Sequence, residues 1–552
     1  MLKFLLFIAL LLFQAMPAFA NGLSLTSVTL GAQNTTTHTY DIQFNVSWDN
    51  SWYISGAPSP TANWDAAWVF AKFSVWNAGT QAWGNWTHCT LSKTNADHTA
   101  PTGSQIASGC SPSAACGGGD TGKGVFIYRN AAGTGTVSLS GAALRWLYGT
   151  DGVGDTDKVK VHVFGIEMVY IPSGPFYIGD PDNAYAANFR WADGTAGAPL
   201  INSGWSGAIN ASSANNSSDD DQLRQPGAGL LISGAGGIKY ADGTNVHAAF
   251  PTGYNAFYIM KYDVSQRQWV DFLNTLTRPQ QTTRTASQAA SQFVMSNSAS
   301  VAYRDGVRAP SSIPAGSITF GNDLNTADAF NQPTDGQWIA MNDLSWMDQA
   351  AYVAWAGLRP FTELEFEKAC RGGQTAVGGE YAWGDATVDT ATTSLANGGA
   401  NNETPNNGNL NYTTSTPDGP FRAGSFAGAA TTRHASGAGY YGVMDLSGQL
   451  LKRPVTVGNT TGRAFTGTHG SGALATSGNA TNSDWPGYGS GEVSAATGSG
   501  FRGGAWNYAA TRVSDRQNAS LDYAARVNTY GARAARTSPR SFWVFAVLRF
   551  CC

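Results

Sequence analysis

MNDLSWMDQAAYVAWAGLRPFTELEFEKACRGG, residues 341–373, decides how the chain reads. Ser345 stands three positions before Asp348, and Thr362 three before Glu365. A hydroxyl at a helix N-cap accepts from an orphan amide of the first turn. A carboxylate or amide side chain three residues on reaches back to the amide of the cap. The two signatures predict two helices. The first has an apolar side of Ala351, Tyr352 and Trp355 and stops at Gly357; the second carries Cys370 among small and apolar neighbours, the setting of a packed core thiol. An earlier helix is written in FYIMKYDVSQRQWVDFLNTL, residues 257–276. There a strand turns into a helix capped by Ser265 and Gln268, with Trp269, Phe272, Leu273 and Leu276 at helical spacing.

Upstream, EMVYIPSGPFYIGD (167–180) reads as strand, turn and strand. Before residue 166 the texture is all-β. LSLTSVTL, YDIQFNVSW, WVFAKFSVW, KGVFIYR, GTVSLSG and DKVKVHVFG are short β-branched or aromatic runs between Gly, Asn and Asp clusters. Such spacing predicts a β-sandwich over 21–165. Downstream, 374–537 is rich in Gly, Asn and Thr with brief strand signals, and 279–335 and 398–440 read as polar loop insertions. Long irregular loops are uncommon in compact domains and usually functional. The expectation is an α+β chain, with the N-terminal sandwich followed by a second domain over 166–539.

The first twenty residues, MLKFLLFIALLLFQAMPAFA, have one lysine, a short apolar core and a small-residue Ala-Phe-Ala end. That pattern predicts a signal peptide and a secreted, surface or periplasmic protein. The apolar core is too short to span a bilayer, so no integral membrane span is expected. Only 13% of the chain is charged, with a net charge of -4. No basic footprint for nucleic acid exists. The six cysteines are Cys89, Cys110, Cys116, Cys370, Cys551 and Cys552. No CxxC pair or ligand-spaced His supports zinc. Cys110 has Cys116 or Cys89 as a candidate partner, and spacing does not choose between them. GGGDTGKG (117–124) puts Gly124 where a phosphate loop needs Ser or Thr, so a surface loop is expected. The apolar tail 541–552 reads equally as an edge strand, a membrane-seeking end or sequence outside the fold.

Taken in order, EMVYIPSGPFYIGD, YDVSQRQWVDFLN, the 341–373 stretch, YAWGD, GVMDLSGQ and FRGGAW resemble the sulfatase-modifying, formylglycine-generating enzyme family over roughly residues 166–537. The resemblance implies a C-type-lectin-like fold, with two helices flanking small twisted sheets and long loops. It also implies a cysteine pair shortly after the Arg-Gly-Gly motif, holding copper and handling oxygen and a substrate thiol. Here Asn507 to Asn528 contains no cysteine. Thiolates are the soft ligands that metal needs, so that oxidase activity is not expected. The family's Gly-Asn-Val-Trp-Glu-Trp segment implies calcium. This chain has Gly448-Gln449-Leu450-Leu451-Lys452-Arg453. Lys452 brings a positive charge where a hard cation wants a carboxylate. The calcium site is expected to be lost at Gln449 and Lys452, and no cofactor is expected. The iron-binding helical domain of the ergothioneine-pathway relatives has no counterpart in the β-rich N-terminal region.

FRGGAWNYAATRVSDRQNASLDYAARVNTYGARAART (501–537) resembles instead the variable region of non-enzymatic proteins of this fold that are diversified by retroelements at adenines. An Asn codon randomised at its adenines does not reach Lys, Glu, Met, Gln or Trp. Between Asn507 and Thr529 only Gln517 departs from that set. Tyr508, Tyr523 and Tyr530 offer amphipathic contact at low rotamer cost, and Asn507, Asn518, Asn528, Thr511 and Ser520 offer adaptable hydrogen bonds, as in antibody paratopes. Ala505, Ala509, Gln517, Leu521, Asp522, Val527 and Thr529 complete the candidate ligand surface. Gly503, Gly504, Trp506, Arg512, Asp515, Arg516, Gly531 and Arg533 are the candidate framework, with a local Arg–Asp pair bracing the loop. The expected role is a secreted or surface-displayed receptor or adhesin for a protein or glycan on another cell or phage. The competing expectations are an oxidase of the parent family and a structural envelope protein.

Overall fold

The computed structural model describes residues 22–539 apart from 56–61, 109–121, 183–187, 192–196, 204–208, 211–229, 233–244, 390–393, 413–416, 429–430 and 510. The expected leader, the apolar tail, Cys110, Cys116, Cys551 and Cys552 lie outside these residues, as does most of the glycine-rich 117–124 loop.

Nine strands build the N-terminal region: β1 Ser24–Leu30, β2 Tyr40–Ile54, β3 Asn63–Asn77, β4 Ala82–Trp83, β5 Thr87–His88, β6 Ser104–Ser108, β7 Val125–Arg129, β8 Gly133–Trp146 and β9 Val159–Ile171. All six runs read as strands from sequence contribute to them. β2 pairs with β1 and β8, while β3 pairs with β7 and β9. Ile42, Phe44, Val46 and Trp48 of β2 share a core with Ala67, Val69, Ala71 and Phe73 of β3.

β3 is buried on both faces, which is why it reads as an almost unbroken apolar run. Its alternate residues Ala66, Trp68 and Phe70 belong to a different core, shared with helix residues farther along the chain. The Trp68 indole N–H donates to Ala356 O at 2.9 Å, and the Phe70 ring meets Trp355 edge-on at 5.1 Å. β9 runs through residue 166 without a break. It pairs antiparallel with β3 from Asp65↔Val169 to Val75↔Val159, and its last residues pair with the strand Phe257–Met260. That strand pairs in turn with Ala535–Thr537. One eleven-stranded sheet therefore joins the first described strand to the last.

At the seam, the Lys261 ammonium is buried between Asp65 Oδ2 at 3.0 Å and Glu167 Oε2 at 3.1 Å. Asp65 also accepts from the Trp48 indole and the Ser51 hydroxyl. Burial pushes the Glu167 carboxyl up to about 7, against the pull of Lys261.

The three expected helices are present: α1 Gln266–Leu273, α3 Trp346–Trp355 and α4 Glu363–Arg371, each with its capping box closed in both directions. Gly357 and Gly372 follow the last two at φ 69° and 66°, the left-handed region that favours glycine. The 279–335 region was expected to be a polar insertion, and here the structure corrects the sequence. It begins inside a helix, α2 Arg278–Arg284, with a capping box of Thr277 and Gln280. Val294, Met295, Val307, Ile318 and Phe320 from this region join the main core. The misreading came from scattered apolar residues with neither period.

The shared sheet predicts that the two regions unfold as one cooperative unit. Phe70→Ala should destabilise the whole chain by about 3–5 kcal/mol. Urea unfolding followed by far-UV circular dichroism and by tryptophan fluorescence should give one coincident transition. Two separated transitions would contradict it.

Candidate functional site

The 501–537 stretch is tied to α4 by buried charge. Glu363, the first residue of α4, accepts from Arg516 twice, Nε to Oε2 at 2.8 Å and Nη2 to Oε1 at 2.9 Å. Arg502 Nη1 donates to the same Oε2 at 3.0 Å, and Arg502 Nη2 reaches Glu367 Oε1, one turn on, at 2.5 Å. Residues i and i+4 share a helix face, so both carboxylates point at the same strip of chain. All of these side chains are fully buried. Burial alone would raise the Glu363 carboxyl; Arg516 and Arg502 outweigh it and hold it below the usual range. Arg371 adds ion pairs to Glu367 and Glu380.

The framework candidates take structural positions. Arg533 donates to Asp263 Oδ1 at 3.0 Å and to the carbonyls of Met260 and Met444. Arg512 donates to Gly379 O and covers the Tyr381 ring at 4.8 Å. Asp515, expected as the local partner of the arginines, accepts the Gln517 amide at 2.9 Å instead, while Arg516 and Arg533 find acids far away in the chain. Gly503 has φ 84°, and a Cβ there would stand 2.3 Å from Leu446 O. Gly504 has φ 68°, and a Cβ on Gly531 would meet Leu450 Cβ at 2.9 Å. Trp506 is buried, and its indole N–H donates to Asn528 O at 3.1 Å.

Above this frame the loop residues gather on a floor of Leu451, Phe501, Ala505 and Tyr530, with Tyr508, Leu521 and Val527 half-buried against it. Tyr523 is 54% exposed. Asn507, Ala509 and Gln517 are exposed, and Asn518, Asp522 and Asn528 are half-buried. The Tyr508 hydroxyl donates to Gln517 Oε1 at 3.3 Å. Five candidates do not reach the surface: Ala505, Thr511, Ser520, Thr529 and Tyr530 are buried. Thr511 donates to Ala509 O, and the Ser520 hydroxyl meets that of Thr456 at 3.3 Å. Small polar side chains satisfied inside the loop look identical in sequence to exposed ones.

Two neighbours of this face were not legible. Tyr303, 46% exposed, lies 5.5 Å from the Trp506 ring. It tops the turn Ala302–Asp305, closed by Asp305 N donating to Ala302 O at 3.0 Å, with φ 49° at Tyr303 and 62° at Arg304. Such a turn normally signals itself with Asn-Gly. Here Arg304 is held by Glu403 and by Pro420 O at 2.8 Å, and that tether substitutes for the glycine. Asp343, at φ 56° and 8% exposed, precedes Leu344, whose amide donates to Tyr530 O. Burial, reinforced by the charge of Asp305, pushes the Asp343 carboxyl up to about 7, and Arg526 opposes this. Its Oδ2 is buried without a hydrogen-bond partner.

The positions bearing on metal and redox chemistry are also filled. Gln449, at φ 66°, clamps a loop by accepting from Asn411 Nδ2 and Phe421 N and donating to Phe421 O. The buried Lys452 ammonium donates to Gly448 O at 2.5 Å and stands 3.9 Å from Asp263 Oδ2; burial lowers its pKa to about 8. Among the described residues no cluster of three or more His, Cys, Asp or Glu is placed to hold a metal, and no helix is long and apolar enough to cross a membrane. Cys89 and Cys370 are buried free thiols, and burial pushes Cys370 up to about 12. A cavity of about 490 Å³ opens elsewhere, lined by Tyr170, Arg359, Glu365 and Ser538 among others, away from the 505–528 face.

Residues 218–538 match the sulfatase-modifying factor enzyme 1-like domain, and the chain belongs to that family. A formylglycine-generating enzyme of Mycobacterium tuberculosis (strain ATCC 25618 / H37Rv) is 42% identical over 66 residues, which make up 12% of this chain and 19% of that enzyme. The match thus spans under a fifth of that relative. The structure of PvdO from Pseudomonas aeruginosa aligns over 67% of this chain and 94% of its own at 16% identity, with a TM-score of 0.24, too loose a likeness to carry further inference.

Glu363→Gln removes the charge that two buried guanidiniums share. Breaking a buried pair costs about 3–5 kcal/mol, and urea denaturation at neutral pH should show a loss of that order. A second test uses Asp343. A carboxyl whose folded pKa lies above its unfolded value contributes stability below the unfolded pKa and loses it as pH rises through the folded one. Asp343→Asn, which tolerates the left-handed backbone, should therefore be more stable than the parent at pH 8 by about 1–3 kcal/mol. The difference should shrink towards pH 4, and a gap independent of pH would contradict the assignment.

Proposed function

We propose that the chain is a secreted or surface-displayed binding protein that uses this family's fold for recognition, and that its 505–528 loops are the ligand face, diversified by a retroelement. The observation that carries the reading is the division of the stretch into two populations. Arg502, Gly503, Arg516, Gly531 and Arg533 are buried and committed to long-range contacts, whereas Asn507, Gln517 and Tyr523 project from the loops. Their aromatic and amide chemistry suits adaptable recognition of a protein or glycan on another cell or phage. The absence of cysteine from 507–528 and the burial of Cys89 and Cys370 weigh against the thiol chemistry of the parent oxidases. On this reading, residues 22–165 serve as a sandwich-like spacer that stiffens the binding domain.

The oxidase reading rests on family membership alone. It is tested by incubating the protein with copper, oxygen and a cysteine-containing sulfatase peptide, where no formylglycine product is expected. The diversification is tested by sequencing codons 501–537 from many cells of the source population. Substitutions should concentrate at Asn507, Asn518, Tyr523 and Asn528 and spare Gly503, Arg516 and Arg533. An invariant stretch would overturn diversification and leave a fixed binding or envelope protein.

A further inference from the structure

The β3–β9 face that packs Trp68, Phe70 and Phe164 against the helices continues outward past Lys72 and Ser74. At its outer end stand Trp76 of β3 and, across the hairpin turn, its register partner Trp83, with ring centroids 5.3 Å apart. Trp86 follows, 6.1 Å from the exposed ring of His162. All three indoles are half-buried. Lys158, just before β9, and Lys160, within it, thread between them. Lys158 Nζ lies 5.3 Å from the Trp76 ring and 5.7 Å from that of Trp83. Lys160 Nζ lies 4.8 Å from Trp83 and 4.7 Å from Trp86. Neither lysine has an ion-pair partner among the described residues.

An ammonium over an exposed indole is worth about 0.5–1 kcal/mol, so each lysine is held in place by two rings, and no carboxylate neutralises it. Ordering before binding lowers the entropic cost of taking a ligand. The indole faces match the apolar C–H faces of sugar rings, and ammonium groups at fixed intervals match carboxylates carried on those rings. A membrane surface fits less well. Interfacial binding buries an apolar face about 5–10 Å deep, whereas here two ammonium groups interrupt the apolar surface.

We propose that Trp76, Trp83, Trp86, Lys158 and Lys160 form a second binding site, for a carboxylated polysaccharide. The site lies on the N-terminal sheet and does not depend on the role assigned to the 505–528 loops. It is tested on the full chain by titrating oligogalacturonate while following tryptophan fluorescence and calorimetric heat. The methyl-esterified oligomer and vesicles of phosphatidylcholine with phosphatidylglycerol serve as comparisons. The acid form should bind, the ester should bind about tenfold more weakly or not at all, and affinity should fall with added salt. The double variant Lys158→Gln/Lys160→Gln, which leaves the rings and the strand pairing in place, should lose about tenfold in affinity while still folding, with only a small drop in melting temperature from the lost ring contacts. Trp83→Ala should abolish binding. Equal affinity for acid and ester, no binding of either, or vesicle binding alone with the same variant sensitivity would each overturn the proposal, the last in favour of a lipid surface.

Discussion

The carboxylate of Glu363 is the point from which the C-terminal loops hang. It lies at the first position of α4, where the helix dipole favours negative charge, and it is shared by Arg502 and Arg516, residues 139 and 153 positions later in the chain. Two guanidiniums buried beside one carboxylate leave an excess positive charge. Glu367 takes the second arm of Arg502, and Arg371 joins Glu367 to Glu380. The Arg516 guanidinium also lies 4.2 Å from the Phe189 ring, and that of Arg502 5.0 Å from Phe366. A buried lattice of this kind contributes little net stability but strongly disfavours alternative positions, since any displacement strands a charge. The result is a fixed frame beneath loops with almost no regular secondary structure.

The frame is itself braced by the N-terminal sheet. β3 has no solvent face along most of its length, and β9 passes its hydrogen bonds on to Phe257–Met260 and then to Ala535–Thr537, the strand that ends the 501–537 stretch. Arg536 closes the circuit by lying 4.2 Å from the Trp68 ring. The chain after the 505–528 loops is thus anchored on residues from the first strands, and the frame supports the loops from both ends.

The local parts of this design were legible and the long-range parts were not. Capping boxes at Ser265/Gln268, Ser345/Asp348 and Thr362/Glu365 announce themselves because cap and partner are three residues apart. The Thr277/Gln280 box obeys the same rule, but α2 presents only Gln281 and Arg284 to the interior, so no apolar period accompanies it. The glycines at 503 and 504 were readable as backbone constraints. The partners of Arg516 and Arg533 were not, because nothing local distinguishes Glu363 or Asp263 from the nearer Asp515. Nor did the sequence show that Thr511 and Ser520 turn inward, or that Tyr303 stands beside Trp506 from a region read as a polar insertion.

On this reading the buried ion pairs, not the loop side chains, specify the conformation of 501–533. The most direct measurement is the melting temperature of a library in which Asn507, Gln517, Asn518, Tyr523 and Asn528 are replaced together by random residues, with every buried position kept. If the claim holds, most members fold and melt within a few degrees of the parent, since surface changes usually fall within about 0.5 kcal/mol each. If most members fail to fold, the loops hold themselves, and the frame built on Glu363 is not what positions them.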